Sequence, residues 1–171
     1  MTLEKLNTLS PRDAVTLFRQ CCGSARWARA MQERRPFNDE QHLYAISDAV
    51  WNALTPADWK DAFAHHPKIG DIKELRKKFP TTAHWAKGEQ AGVQQSGEKV
   101  LKALADGNKL YEAKFGYIFI VCATGKNADE MLTILNDRLN NYPDVEIKLA
   151  AQEQAKITRI RLEKLVRASD S

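Results

Sequence analysis

Apolar residues recur along this chain at intervals of three and four, the spacing that gives a helix one apolar face, and the alternation of a half-buried strand hardly occurs. Ser10 and Pro11 form an N-cap and first-turn pair ahead of Ala14, Val15, Leu17, Phe18 and Cys21, which predicts a helix running to Gly23. Asn38 or Asp39 caps a second segment striped by Leu43, Ile46, Val50 and Leu54. Thr55-Pro56 then opens a third carrying Trp59, Ala62 and Phe63. That helix delivers the chain to His65-His66-Pro67. Proline disfavours helical backbone in the residue before it, so His66 sits at the break, and Gly70-Asp71 then allows a turn and a fresh cap. Between Ser96 and Phe115, the positions of Val100, Leu101, Leu104, Leu110 and Tyr111 predict a long helix with Gly107 as a weak or bent point. Asn127 and Glu130 have capping-box spacing ahead of Leu132, Leu135 and Leu139, and Val145 to Val166 reads as one long final helix.

One stretch departs from this pattern. Tyr117-Ile118-Phe119-Ile120-Val121-Cys122-Ala123 has the aromatic and β-branched content of a buried strand, yet the chain offers no second strand to pair with it. The expectation is a buried extended or irregular segment between two helices, with a helical extension as the alternative. There is no repeat, low-complexity tract or linker, so the pattern predicts one all-α domain over residues 1–171.

Composition narrows the class. Hydrophobic content of 43% and charged content of 28% belong to an ordinary globular protein, long enough at 171 residues to bury a core. The three cysteines, Cys21, Cys22 and Cys122, are odd in number and make no CxxC pair, which argues against a disulfide framework or zinc ribbon and for a reducing compartment. With neither a signal-peptide pattern at the N-terminus nor an apolar run of membrane-spanning length, the expectation is a cytoplasmic protein with no membrane partner. The net charge of +4 raises the question of nucleic acid, but the cations are spread along the chain. Their densest cluster, Lys73, Arg76, Lys77 and Lys78, is interspersed with Asp71 and Glu74 and has a single nearby aromatic, Phe79. It reads as a solvated helix face rather than a stacking platform, and no nucleic-acid partner is expected.

Phosphate loops, dinucleotide-binding glycines, HExxH and GxSxG are all missing from the sequence, so chemistry must come from dispersed acids, bases and cations. His66 leads the candidates, because imidazole titrates near neutral pH and a residue at a helix break can face a cleft; the plainer alternative is a surface or capping histidine, the stronger reading for His65. Glu89 lies between Gly88 and Gly92, where an irregular or closely approached backbone is expected, and a carboxylate there could orient an imidazole; a solvated glutamate is the alternative. His65, His66 and Glu89 match no standard metal-ligand spacing, so no metal is expected. Arg161 lies four residues from both Ile157 and Leu165 and could carry a guanidinium from an apolar face toward an anion, whereas Arg159 projects about 160° away on an ideal helix. Arg138, beside Leu135 and Leu139, has the same ambiguity as Arg161 between a packed stem and a ligand.

Four blocks in order, HHPKIGD, HWAKGEQAGV, LYEAKFGYIFIVCATGKNADEMLTIL and AAQEQAKITRIRLEKL, resemble the 2-oxo-4-hydroxy-4-carboxy-5-ureidoimidazoline (OHCU) decarboxylase family over nearly the whole chain. The resemblance implies an all-α fold peculiar to that family, no cofactor, a homodimer, and conversion of a urate-derived ring compound to (S)-allantoin with loss of carbon dioxide. It further implies His66 as catalytic acid/base, Glu89 as its partner, and Arg161 as a holder of substrate oxygens. Pro67, Ala86, Gln90, Ile118, Phe119, Ile120 and Val121 would line the small-molecule site, the last four through backbone groups. Ala86 stands where many relatives carry a serine, so only a main-chain contact is expected there. Read without the resemblance, the same residues also admit a hydrolase of a related ureido or imidazolone ring, or a non-enzymatic basic helical binding module.

Overall fold

The computed structural model describes residues 1–67, 72–79 and 87–167, with side chains from residue 97 onward in the last span. Nine helices and no strand occur among them: α1 (Leu3–Thr8), α2 (Pro11–Cys21), α3 (Ala25–Glu33), α4 (Glu40–Asn52), α5 (Pro56–Ala64), α6 (Ile72–Lys78), α7 (Lys87–Phe115), α8 (Ala128–Leu139) and α9 (Pro143–Arg167). The protein is all-α, and it divides into two compact units interleaved in sequence. The first comprises Met1–His66, Ile120–Cys122 and Ile147 onward; the second comprises Pro67–Phe119 and Ala123–Glu146.

Helix starts follow the caps. The Ser10 hydroxyl accepts from the Asp13 amide and Asp39 accepts from His42, while Thr55 with Asp58 and Asn127 with Glu130 form reciprocal capping boxes. In the first unit, Phe18 meets Trp27 edge-on at 5.8 Å and Phe37 at 6.3 Å, and Leu6, Met31, Leu43 and Phe63 are fully buried. Two indoles combine burial with a satisfied N–H: Trp27 Nε1 donates to the Ser47 carbonyl at 3.3 Å and Trp51 Nε1 to the Ala151 carbonyl at 2.9 Å, the latter pinning α4 to α9.

The second unit is built on α7 and α8. Gly107 is buried within α7, and a Cβ there would lie 2.6 Å from Leu135 Cδ2, so this glycine permits close approach of α8 rather than breaking the helix. Helix α7 begins at Lys87, not at Ser96 as the pattern predicts; Gly88 and Gly92 lie inside it, because glycine lowers helix propensity by only about 1 kcal/mol and no proline interrupts this stretch. Leu110 is 62% exposed, contrary to its expected place on the apolar stripe, because the buried position is taken by its neighbour Tyr111. Lys73, Arg76, Lys77 and Lys78 are exposed on α6, and Arg76 forks onto Glu98 at 2.7 to 3.1 Å.

The dissenting segment is irregular, as expected. Gly116 and Gly125, at φ +84° and +76°, flank it with backbone that favours glycine. Its amide at Cys122 donates to Glu153 Oε1 of α9 at 3.1 Å, so a carboxylate rather than a neighbouring strand satisfies this backbone group.

Candidate active site

Helix α5 ends at His65, whose amide bonds back to Ala62, and the chain turns at His66 ahead of Pro67. His65 is a capping residue. Its Nδ1 donates to the Asp61 carbonyl at 2.8 Å, which leaves Nε2 to accept from Arg19 at 3.1 Å. A Cβ on Gly23 would come within 2.4 Å of the His65 Cβ, so the α2–α3 corner packs directly against the residue preceding His66.

His66 bonds instead to α9. Its Nε2 lies 2.5 Å from Oε1 of Gln154, a fully buried side chain on α9. The same amide donates through Nε2 to Thr158 Oγ1 at 3.1 Å. Gln154 and Thr158 sit on the buried row of α9, with Ala150, Leu162 and Val166 at four-residue steps. Ile157 and Leu165 are only half-buried, so the fully buried row lies one residue out of phase with the stripe used to place Arg161. Arg161 nevertheless follows Gln154 by seven residues, about 20° around the helix, and so shares its side of α9.

The three arginine candidates separate clearly. Arg138 is buried and chelates Glu146, its Nε at 2.9 Å and Nη2 at 2.6 Å from Oε2, with the guanidinium 4.6 Å from the Phe119 ring centroid. Burial opposes its charge, but the Glu146 hydrogen bonds outweigh that and raise its pKa. Tyr111 donates to the same carboxylate, and burial followed by this bond pushes its hydroxyl pKa up. Arg138 is thus a core residue of the second unit. Arg159 pairs with Glu163 at 2.9 Å and lies over the Tyr44 ring at 3.9 Å. Arg161 touches the Cys21 carbonyl at 3.4 Å, at the C-terminal end of α2, and no carboxylate among the described residues pairs with it. Burial pushes the Cys21 thiol up to about 12 and Cys22 to about 11, against the opposing pull of Arg161, so both are neutral thiols rather than nucleophiles.

The remaining candidates divide between the units. Ile120 is buried and Val121 half-buried in the first unit, whereas Pro67, Ile118 and Phe119 belong to the second. Glu89 and Gln90 fall in the first turn of α7, a helix rather than an irregular glycine loop, and their side chains lie outside those described; Ala86 lies outside the described residues altogether. Gln154 and Thr158 were not foreseen as members of this arrangement. Their signal in the sequence was two polar residues at a four-residue step among alanines and large aliphatics.

An all-α chain presenting an imidazole held by a buried amide matches the family model described as OHCU decarboxylase across residues 7–163. The chain belongs to the OHCU decarboxylase family. It is 36% identical over 145 residues to the uric acid degradation bifunctional protein TTL of Arabidopsis thaliana, covering 85% of this chain and 45% of that one. It is 26% identical over 167 residues to the 2-oxo-4-hydroxy-4-carboxy-5-ureidoimidazoline decarboxylase of Amia calva, covering 97% and 95% of the two chains. The chain therefore spans less than half of the bifunctional relative and nearly all of the Amia calva one. Among solved structures, an OHCU decarboxylase crystallised in the presence of (S)-allantoin superposes with a TM-score of 0.70 at 35% identity, over 87% of this chain and 96% of that one.

Proposed function

We propose that this protein decarboxylates 2-oxo-4-hydroxy-4-carboxy-5-ureidoimidazoline to (S)-allantoin in urate degradation, with residues 1–171 acting as one catalytic domain of a cytoplasmic homodimer. The observation that carries the reading is the buried Gln154 holding His66 at 2.5 Å at the end of α5, within a chain of this family. An imidazole so held is pre-positioned, which is where much of a general acid's or base's contribution originates. The allantoin-associated structural relative supports the choice of product, and three buried free cysteines support a reducing compartment.

Loss of carbon dioxide from the substrate leaves an electron pair that its own conjugated ring can accept, so the reaction needs no external electron sink. The protein's work is to orient the carboxylate out of the ring plane and to move protons. In this reading His66, partnered by Glu89, takes the hydroxyl proton or protonates the new carbanionic centre from one face. Arg161, with no carboxylate partner among the described residues, holds anionic or carbonyl oxygens of the substrate. Gln90 meets the ureido group, and Pro67, Ala86 and the backbone of residues 118–121 complete the lining. Manometric or isotopic assay of carbon dioxide with freshly generated substrate tests the proposal. Release of carbon dioxide well above the spontaneous rate, reduced to that rate by His66→Ala, supports it, and ring opening without carbon dioxide identifies a hydrolase instead.

A further inference from the structure

The irregular segment between α7 and α8 takes its position from what it touches. It has no helical ladder of its own and no strand beside it among the described residues, and Gly116 and Gly125 stand on either side of it in left-handed backbone. One grip on it is a charged acceptor. The amide of the buried Cys122 donates to Glu153 Oε1 at 3.1 Å, while Oε2 of the same carboxylate lies 2.6 Å from Lys156 Nζ. The Glu153 side chain is 16% exposed and that of Lys156 63%, so the contact with the segment is the sheltered one. Helix α9 also carries Gln154, which meets His66, and Arg161; on an ideal helix Glu153, Arg161 and Gln154 fall within about 100° of arc. Ile120–Cys122, His66 and α9 from Ile147 onward all belong to the first compact unit.

We infer that Glu153 is a positioning residue: by holding the Cys122 amide against α9, its carboxylate sets where the backbone of Ile120 and Val121 stands relative to His66 and Arg161. The inference rests on the reading given above, in which that backbone lines the substrate site, and it names the group that puts the backbone there. A carboxylate suits the task, because a hydrogen bond to an ionised acceptor is stronger than one between neutral groups. Glu153 and Gln154 are consecutive residues of α9, so one rigid stretch of helix fixes the anchor of the segment beside the contact of His66. A displaced segment would misplace groups that meet the substrate before and during the reaction alike, and that loss falls on KM. A smaller folded fraction, the consequence of a purely structural role, would lower the apparent kcat and leave KM unchanged.

The test joins amide hydrogen exchange to steady-state kinetics on the full-length protein. Labelling cysteine with 15N gives three amide signals, that of Cys122 being assigned by its loss in Cys122→Ser, and the Cys22 amide, bonded to the Phe18 carbonyl at 3.0 Å, serves as the internal control. In the wild type the Cys122 amide should exchange slowly. Glu153→Leu removes the acceptor and should speed that exchange about tenfold or more with Cys22 unchanged, and raise KM about tenfold with kcat within about threefold. Glu153→Gln keeps an accepting oxygen and should return both quantities to within about threefold of wild type. An unprotected Cys122 amide in the wild type overturns the inference even if Glu153→Leu does not fold. A folded Glu153→Leu protein with unchanged exchange at Cys122, or with unchanged KM, overturns it as well. Undiminished decarboxylation by His66→Ala would instead defeat the reading of the site, an outcome distinct from any change in exchange at Cys122.

Discussion

Replacing Arg138 by methionine should destabilise the protein severely without touching the proposed chemistry. Glu146 has 0% exposure and sits in the first turn of α9, where the helix dipole favours an anion, but its principal neutralising partner is Arg138 at 2.6 to 3.2 Å. In Arg138→Met, Tyr111 and the Asn141 amide at 3.1 Å remain as donors to a carboxylate with no buried counter-charge among the described residues. Removing one partner of a buried ion pair costs about 3–5 kcal/mol. For a chain of this size a loss of 1 kcal/mol lowers Tm by about 2–4 °C, so the expected drop is about 6–20 °C. Adding Glu146→Leu removes the stranded charge and should recover most of the loss, leaving a deficit of about 1–3 kcal/mol for the carboxylate acceptor that the Tyr111 hydroxyl loses. Adding Tyr111→Phe as well should recover part of that deficit. Urea and thermal denaturation followed by far-UV circular dichroism measures all three variants. An Arg138→Met protein within 1 kcal/mol of wild type, or a double variant less stable than the single, would refute the reasoning.

Three further outcomes follow from other contacts. Arg161→Ala should lower kcat/KM by about 10- to 150-fold, the loss of one hydrogen bond to a charged group, whereas Arg159→Ala, which breaks a surface pair with Glu163, should stay within about threefold; equal losses in steady-state assays would sink the assignment of Arg161. Gly23→Ala inserts a Cβ 2.4 Å from that of His65, so a destabilisation of about 1–3 kcal/mol and a fall in turnover are expected, and unchanged denaturation and kinetics would contradict the packing described. The Cys21 and Cys22 thiols are raised from 9.0 to about 12 and about 11, so folding retains protons that the unfolded chain releases. Their contribution to stability is complete below pH 9.0 and is lost as pH rises toward 11 to 12. Urea midpoints measured from pH 8 upward should fall more gently in Cys22→Ala than in wild type, and parallel curves would argue against this linkage.

Much of the fold was legible because its signals are local. Ser10-Pro11, Asp39, Thr55-Pro56 and Asn127 with Glu130 mark helix starts through hydrogen bonds spanning three residues, and each caps the helix it announces. The irregular segment could be read because β-branched residues without a strand partner have few other places to go. Less legible was the start of α7, where Gly88 and Gly92 lower local helix propensity while leaving a continuous helix intact. Helix α3 was not anticipated; it is short, and its buried Trp27, Ala28 and Met31 make a brief stripe. At the site, His66 was recognisable from Pro67 behind it, and the choice among arginines depended on helical phase. Gln154 escaped notice because a buried glutamine on an apolar row looks like a solvated one until its partners, distant in sequence, are known.

Circular dichroism of freshly generated substrate measures most directly whether His66 directs stereospecific decarboxylation. Unaided decay is expected to give racemic allantoin, so the sign of the developing signal is the informative quantity. Rapid growth of the (S)-allantoin signal is expected with wild-type protein, and only the slow, signal-free background with His66→Ala. Racemic product at the background rate with both proteins, or an undiminished (S) signal from His66→Ala, would contradict this expectation.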